Sequence, residues 1–109
     1  MLSKLHRRTE ALDAACLRAL GHPNDDAIRH ELLSALEWDR SLHPEHANHK
    51  IRDLFEQVHD HCMTLSNWLR AEVEGADSAP RRTAEIDHLR RRLADLAHVL
   101  EARKASRPG

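Results

Sequence analysis

The feature that most constrains the fold is a run of apolar residues near the C-terminus that recurs every three or four positions. The run consists of Ile86, Leu89, Leu93, Leu96 and Leu100. Because an α-helix has about 3.6 residues per turn, this spacing aligns the side chains along one stripe, as in a bundle or short coiled coil. A half-buried strand would need apolar residues at alternate positions, and the chain has no such stretch. The sequence therefore predicts an all-α protein.

Three breaks divide the chain into four predicted helices. They lie at residues 21–24, 43–44 and 74–80, where glycine or proline interrupts the apolar stripes. We predict one helical-bundle domain at 1–105, a disordered tail at 106–109, and helices at about 3–20, 25–41, 44–74 and 80–104. The architecture expected from these elements is a four-helix up-down bundle in which helices 3 and 4 are longer than helices 1 and 2.

The unequal helix lengths predict a dimer. Helix 2 should span roughly 25 Å and helix 3 roughly 45 Å, so helix 2 covers helix 3 only to about His61. The far end of the helix 3–helix 4 hairpin would then project as apolar surface, which is unusual for a soluble monomer. We expect this end to pack against a second copy, although a bend in helix 3 could instead close a shorter bundle. The expected interface residues are Leu65, Trp68, Leu69, Val73, Ile86 and Leu89.

Ten histidines raise the possibility of a metal site, since neutral imidazole is a common ligand. Most of them fall on the polar helix faces, where we interpret them as solvated. His59 and His61 differ because they flank Cys62, which lies in the stripe of helix 3, and Cys16 lies in the stripe of helix 1. These four residues are the candidate ligands for zinc or iron. Ordinary core packing of the two cysteines is the preferred interpretation, so the expected cofactor is none.

Catalytic motifs are missing from the sequence. There is no G-x-S-x-G, glycine-rich phosphate loop or H-E-x-x-H. The E-x-x-H spacing of di-iron bundles occurs at 56–59 and 85–88, but Glu56 and His88 lie far from the apolar stripes. We therefore predict that the protein is not an enzyme and has no catalytic residues.

Charge and composition limit the possible partners. The formal net charge is −1 and only three residues are aromatic, which gives little material for stacking on nucleobases. Helix 4 is nevertheless basic, so a nucleic-acid-binding regulator remains an alternative. Its cations are Arg81, Arg82, Arg90, Arg91, Arg92, Arg103 and Lys104.

Location follows from what the chain lacks. No apolar run approaches the roughly 20 residues that cross a bilayer, and the two cysteines form no C-x-x-C pair. A cytoplasmic protein without a membrane partner is expected. The 14 arginines against 3 lysines hint at a GC-rich bacterial genome.

Together these observations favour a small cytosolic helical bundle that acts as a non-enzymatic protein-interaction or regulatory module and forms a homodimer. The alternatives are a histidine-rich bundle that binds zinc or iron, and a nucleic-acid-binding regulator that uses basic helix 4.

Overall fold

A computed structural model describes residues 2–22, 24–38, 40–44, 47–73, 75 and 79–106 of the protein. Over these residues the chain forms four α-helices and no strand, so the all-α prediction is confirmed. The elements are α1 (Leu2–Gly21), α2 (Asp26–Ala35), a 3-10 turn (Arg40–Leu42), α3 (His49–Val73) and α4 (Ala79–Ser106). None of the described helices combines the length and the apolar character needed to cross a membrane.

The predicted apolar stripes form the core. All five residues of the α4 stripe are buried, from Ile86 to Leu100. The stripe of α3 is equally buried, and its members are Ile51, Phe55, Val58, Cys62, Leu65 and Leu69. Thr9 interrupts the stripe of α1 and is also buried, but its hydroxyl donates to the Leu5 carbonyl at 2.8 Å. This local bond satisfies the buried polar group without a partner from another helix.

Helix α4 packs against both α3 and α1, while α2 packs mainly against α1. Arg90 of α4 pairs with Asp13 of α1, and Glu101 lies beside His6. Since the later residue of α4 meets the earlier residue of α1, these two helices run antiparallel. Helices α3 and α4 are consecutive, and the turn between them contains Gly75 with φ 98°. That left-handed conformation is costly for a residue with a Cβ atom.

Helix α2 is shorter than expected, because it ends at Ala35 rather than near residue 41. Beyond it Trp38 is buried and packs against the Phe55 ring with centroids 5.3 Å apart. The end of α2 is held by Arg8, whose guanidinium donates to the carbonyls of Ala35 at 2.7 Å and Glu37 at 3.0 Å. Burial of the indole and these charge-assisted bonds stabilise a non-helical path that helix propensity alone does not reveal.

Helix α3 starts at His49 rather than at Pro44. The side-chain oxygen of Asn48 accepts a hydrogen bond from the backbone N–H of Ile51 at 3.0 Å. This is the bond of an N-cap, and asparagine is among the preferred residues at that position. Pro44 is buried ahead of the helix instead of opening it.

The position of α2 contradicts the expected exposure of the hairpin end. The short α2 lies toward the C-terminal end of α3, where Leu32 and Leu69 line the same small cavity. There Arg29 Nε lies 3.6 Å from Glu72 Oε2. The prediction that this end projects as apolar surface is wrong.

Most of the residues expected at a dimer interface are buried within one chain. Trp68 is partly buried, and the Val73 side chain lies outside the described part of the structure. The remaining four are at most 2% exposed: Leu65, Leu69, Ile86 and Leu89. A second copy is therefore not needed to cover them. The exposed apolar surface that predicted an interface at this end is not present in these four residues.

Candidate functional site

The two cysteines predicted as ligands lie in the core. Cys16 is 0% and Cys62 1% exposed. The pKa of each thiol is raised to about 12, mainly by burial, and for Cys16 the charge of Asp13 contributes to the rise. Cys16 also contributes to the raised pKa of Cys62, which reflects their proximity. Because the thiolate is the form that binds metals and attacks electrophiles, these protonated thiols are poorly suited to either role at neutral pH.

The two histidines that flank Cys62 bind carboxylates at the rim of the core. His61 Nδ1 donates to Glu85 Oε1 of α4 at 2.6 Å, a short contact that joins the two helices. His59 Nδ1 lies 3.6 Å from the carboxylate of Asp60, its neighbour in sequence. The structure thus directs these rings toward Glu85 and Asp60 and does not assemble them with Cys62 and Cys16 into a ligand set.

A different cluster brings possible ligands together. His6 and Glu10 of α1 meet Glu101 of α4, and one ligand atom from each lies within 4.8 Å of the others. His6 Nε2 is 3.3 Å from Glu10 Oε1 and 3.4 Å from Glu101 Oε1. Among the described residues, this is the one group of three or more histidine, cysteine or acidic side chains whose ligand atoms lie so close together.

Sequence reasoning missed this cluster. A local signal was present, because His6 and Glu10 are four residues apart and therefore share one face of a helix. The third member, Glu101, lies 91 positions after Glu10 in the sequence. Only the pairing of α1 with α4 reveals it.

A second polar cluster is structural. Glu72, Arg82 and Arg29 join three helices at the hairpin end, with Arg82 Nη1 3.1 Å from Glu72 Oε2. The side chains of Glu72 and Arg82 are each 9% exposed. A cavity of about 10 Å³ borders Arg29, Arg82 and Leu69. This volume matches about one water molecule and is far too small for an organic substrate.

The basic tract of α4 is largely neutralised by its surroundings. The guanidiniums of Arg90, Arg91 and Arg92 each lie within 3.3 Å of a carboxylate, in order those of Asp13, Asp87 and Asp95. The side chains of Arg103 and Lys104 lie outside the described part of the structure. Arginines paired in this way are less available to phosphates, so the geometry gives no support to a nucleic-acid interface.

Two large apolar side chains lie outside the core. Leu17 of α1 is 54% exposed and Met63 of α3 is 55% exposed. Single exposed apolar residues are ordinary on soluble proteins, but these two are the large hydrophobic residues that the described core leaves open to contact.

No protein-family model, curated protein or solved structure matches the chain. The residues themselves therefore carry the functional inference.

Proposed function

We propose that this protein is a cytosolic, non-enzymatic interaction or regulatory module built as an up-down four-helix bundle. The observation that carries the proposal is a core completed within one chain, with both thiols inside it. The bundle topology is supported by contacts between helices that run in opposite directions, such as Asp13 with Arg90 and Glu72 with Arg82. A protein of this kind acts through its outer surface.

The chemistry of the interior supports binding over catalysis. Catalytic nucleophiles need an exposed position and an activated, deprotonated form. Cys16 and Cys62 have neither property, since both are buried with pKa values raised to about 12. The cavity beside Leu69 has a volume of only about 10 Å³.

A second copy of the chain is the partner we propose for the outer surface. The formal net charge of −1 places little Coulomb repulsion between two copies. Leu17 and Met63 offer apolar contact outside the core. Because α1 and α3 each pack mainly against α4, these two side chains belong to separate surfaces, and we propose that the dimer forms through one of them in place of the hairpin end that the chain already covers.

Light scattering coupled to size exclusion tests the dimer over a range of protein concentrations. We expect a wild-type dimer that one of the two substitutions, Leu17→Glu or Met63→Glu, converts to a monomer. Ala11→Glu is the matched control, because it places the same charge at an exposed position of α1 and should leave the dimer intact. Circular dichroism verifies that each variant is folded.

Two results would overturn this part of the proposal. A wild-type protein that stays monomeric throughout the concentration range excludes self-association. A dimer that survives both substitutions places the interface elsewhere.

A further inference from the structure

We propose that His6, Glu10 and Glu101 form a binding site for a divalent transition-metal ion, of which zinc is the best fit. His6 and Glu10 lie one turn apart on α1, and Glu101 approaches from the antiparallel α4. Their ligand atoms lie within 4.8 Å of one another. The site is separate from the cysteines and rests on the contact between the first and last helices.

The distances match the coordination sphere of zinc. Zinc binds imidazole nitrogen and carboxylate oxygen at about 2.0 to 2.1 Å, most often as a tetrahedron. Two ligands of such a tetrahedron lie about 3.3 Å apart, from the bond length and the tetrahedral angle. His6 Nε2 lies 3.3 Å from Glu10 Oε1 and 3.4 Å from Glu101 Oε1. One ion between the three side chains would therefore need little rearrangement.

Hydrogen bonding alone leaves the His6 ring unsatisfied. Its Nε2 is buried at the atomic level and has no hydrogen-bond partner, although two carboxylate oxygens are near. A single N–H can point at only one oxygen, and a lone pair on Nε2 would face two negative groups. A cation between Nε2 and the carboxylates uses that lone pair and balances both charges.

The donor set also indicates the class of metal. One imidazole and two carboxylates suit zinc and the neighbouring first-row ions, whereas magnesium and calcium prefer oxygen ligands alone. The Glu10 and Glu101 side chains are 62% and 63% exposed. They are free to adjust to the ion, and water can complete its coordination. Three protein ligands with an open position are a known arrangement for zinc.

Calorimetric titration of untagged, metal-free protein with zinc chloride tests the proposal. We expect one zinc per chain in the wild type. Even changes in the second shell of a metal site weaken binding about 10- to 100-fold, so His6→Gln should weaken it at least about tenfold. Glu101→Gln should do the same, and because the Glu101 side chain is exposed, this substitution should leave the fold intact.

The matched control is His88→Gln, which removes an exposed imidazole from α4 about 20 Å from Glu101 along the helix. It should leave zinc affinity unchanged. Cobalt(II) added instead of zinc should give the strong visible absorption of a tetrahedral site in the wild type and in the control, and lose it in the two ligand variants.

Several outcomes would overturn the site. One is a lack of zinc binding at micromolar concentrations. Another is zinc affinity that falls equally in His6→Gln and His88→Gln, which means adventitious binding by surface histidines. A third is affinity unchanged in both Glu101→Gln and His6→Gln, which excludes this cluster as the place where zinc binds.

Discussion

Substitution of Leu69 by alanine tests whether the hairpin end is buried by the chain itself. Leu69 is 0% exposed and borders a cavity of about 10 Å³ together with Leu32 and Arg82. Truncation enlarges that cavity without adding a polar group. The result depends on what covers Leu69, since a second copy would make its contribution depend on protein concentration.

The expected loss of stability follows from the missing atoms and the space they leave. Leucine has three more carbons than alanine, and at about 0.8 kcal/mol each their transfer from water contributes about 2.4 kcal/mol. The residual cavity adds to this, and fully buried leucines lose about 2.7 to 5 kcal/mol in such changes. We expect the free energy of unfolding to fall by about 3 kcal/mol, a large part of the roughly 5 to 15 kcal/mol typical of a domain.

Urea denaturation at two protein concentrations measures the effect. With a slope of about 1.5 kcal/mol per molar urea, the midpoint should fall by about 2 M at both concentrations. Arg70→Ala truncates the next side chain of α3, which is exposed, and should cost less than about 1 kcal/mol. A loss for Leu69→Ala as small as that of Arg70→Ala would refute burial within the chain. A loss that grows with protein concentration would instead indicate that a second copy covers Leu69.

Three further predictions follow from the buried thiols, the end of α2 and the metal site. Because thiols ionise near pH 9.0 in the unfolded chain while Cys16 and Cys62 stay protonated to about 12, stability present below pH 9.0 should be lost as the pH rises toward 12. The free energy of unfolding should fall by about 1.4 kcal/mol per pH unit for each thiol. Urea melts should show a smaller loss of stability at alkaline pH in the double Cys→Ala variant than in the wild type. Equal losses in the two proteins would contradict the burial of the thiols. Arg8→Ala should lower the free energy of unfolding by about 1 to 2 kcal/mol, because it removes charge-assisted bonds to carbonyls at the end of α2, including that of Ala35. Hydrogen exchange should then accelerate in α2 first, and uniform acceleration would refute a local role. Free zinc at about 100 times its dissociation constant should raise the free energy of unfolding by about 2.7 kcal/mol, as measured by thermal melts, and an equal rise in His6→Gln would contradict the site.

Helix periodicity made much of the core predictable. Every member of the α4 stripe is buried because apolar spacing of three and four residues can be satisfied on one helix face, whatever the neighbour is. The start of α2 was equally local. Asp25 accepts from the Ile28 N–H at 3.1 Å, as expected for an N-cap. These features depend on residues within one or two turns, which a sequence displays directly.

The end of α2 depends on distant residues and could not be read in this way. The sequence from Leu36 to Leu42 contains neither glycine nor proline, so nothing local predicts a break. Trp38 leaves the helix because its indole finds a buried position against Phe55, which lies 17 positions later. Tertiary burial of one large side chain outweighs the small propensity differences among the residues around it. The wrong end of α2 also led to the wrong prediction for the hairpin end, because a longer α2 would have left that end uncovered.

The histidines show why helix faces alone do not reveal the proposed metal site. The angle of a residue to its own apolar stripe indicates whether it faces the core, and by that measure Cys62 and its neighbours were the natural candidates. Ligands converge, however, where the rims of two helices meet, and that depends on register. Once Asp13 lies beside Arg90 in an antiparallel pair, the residues earlier in α1 must meet those later in α4. His6 thereby reaches Glu101. The core position of Cys16 and Cys62 raises their pKa and makes them poorer ligands, whereas the proposed ligands lie at the rim of the core, where water can complete the coordination of an ion. The proposed metal site thus lies between two helices that are distant in sequence, and only the pairing of those helices reveals it.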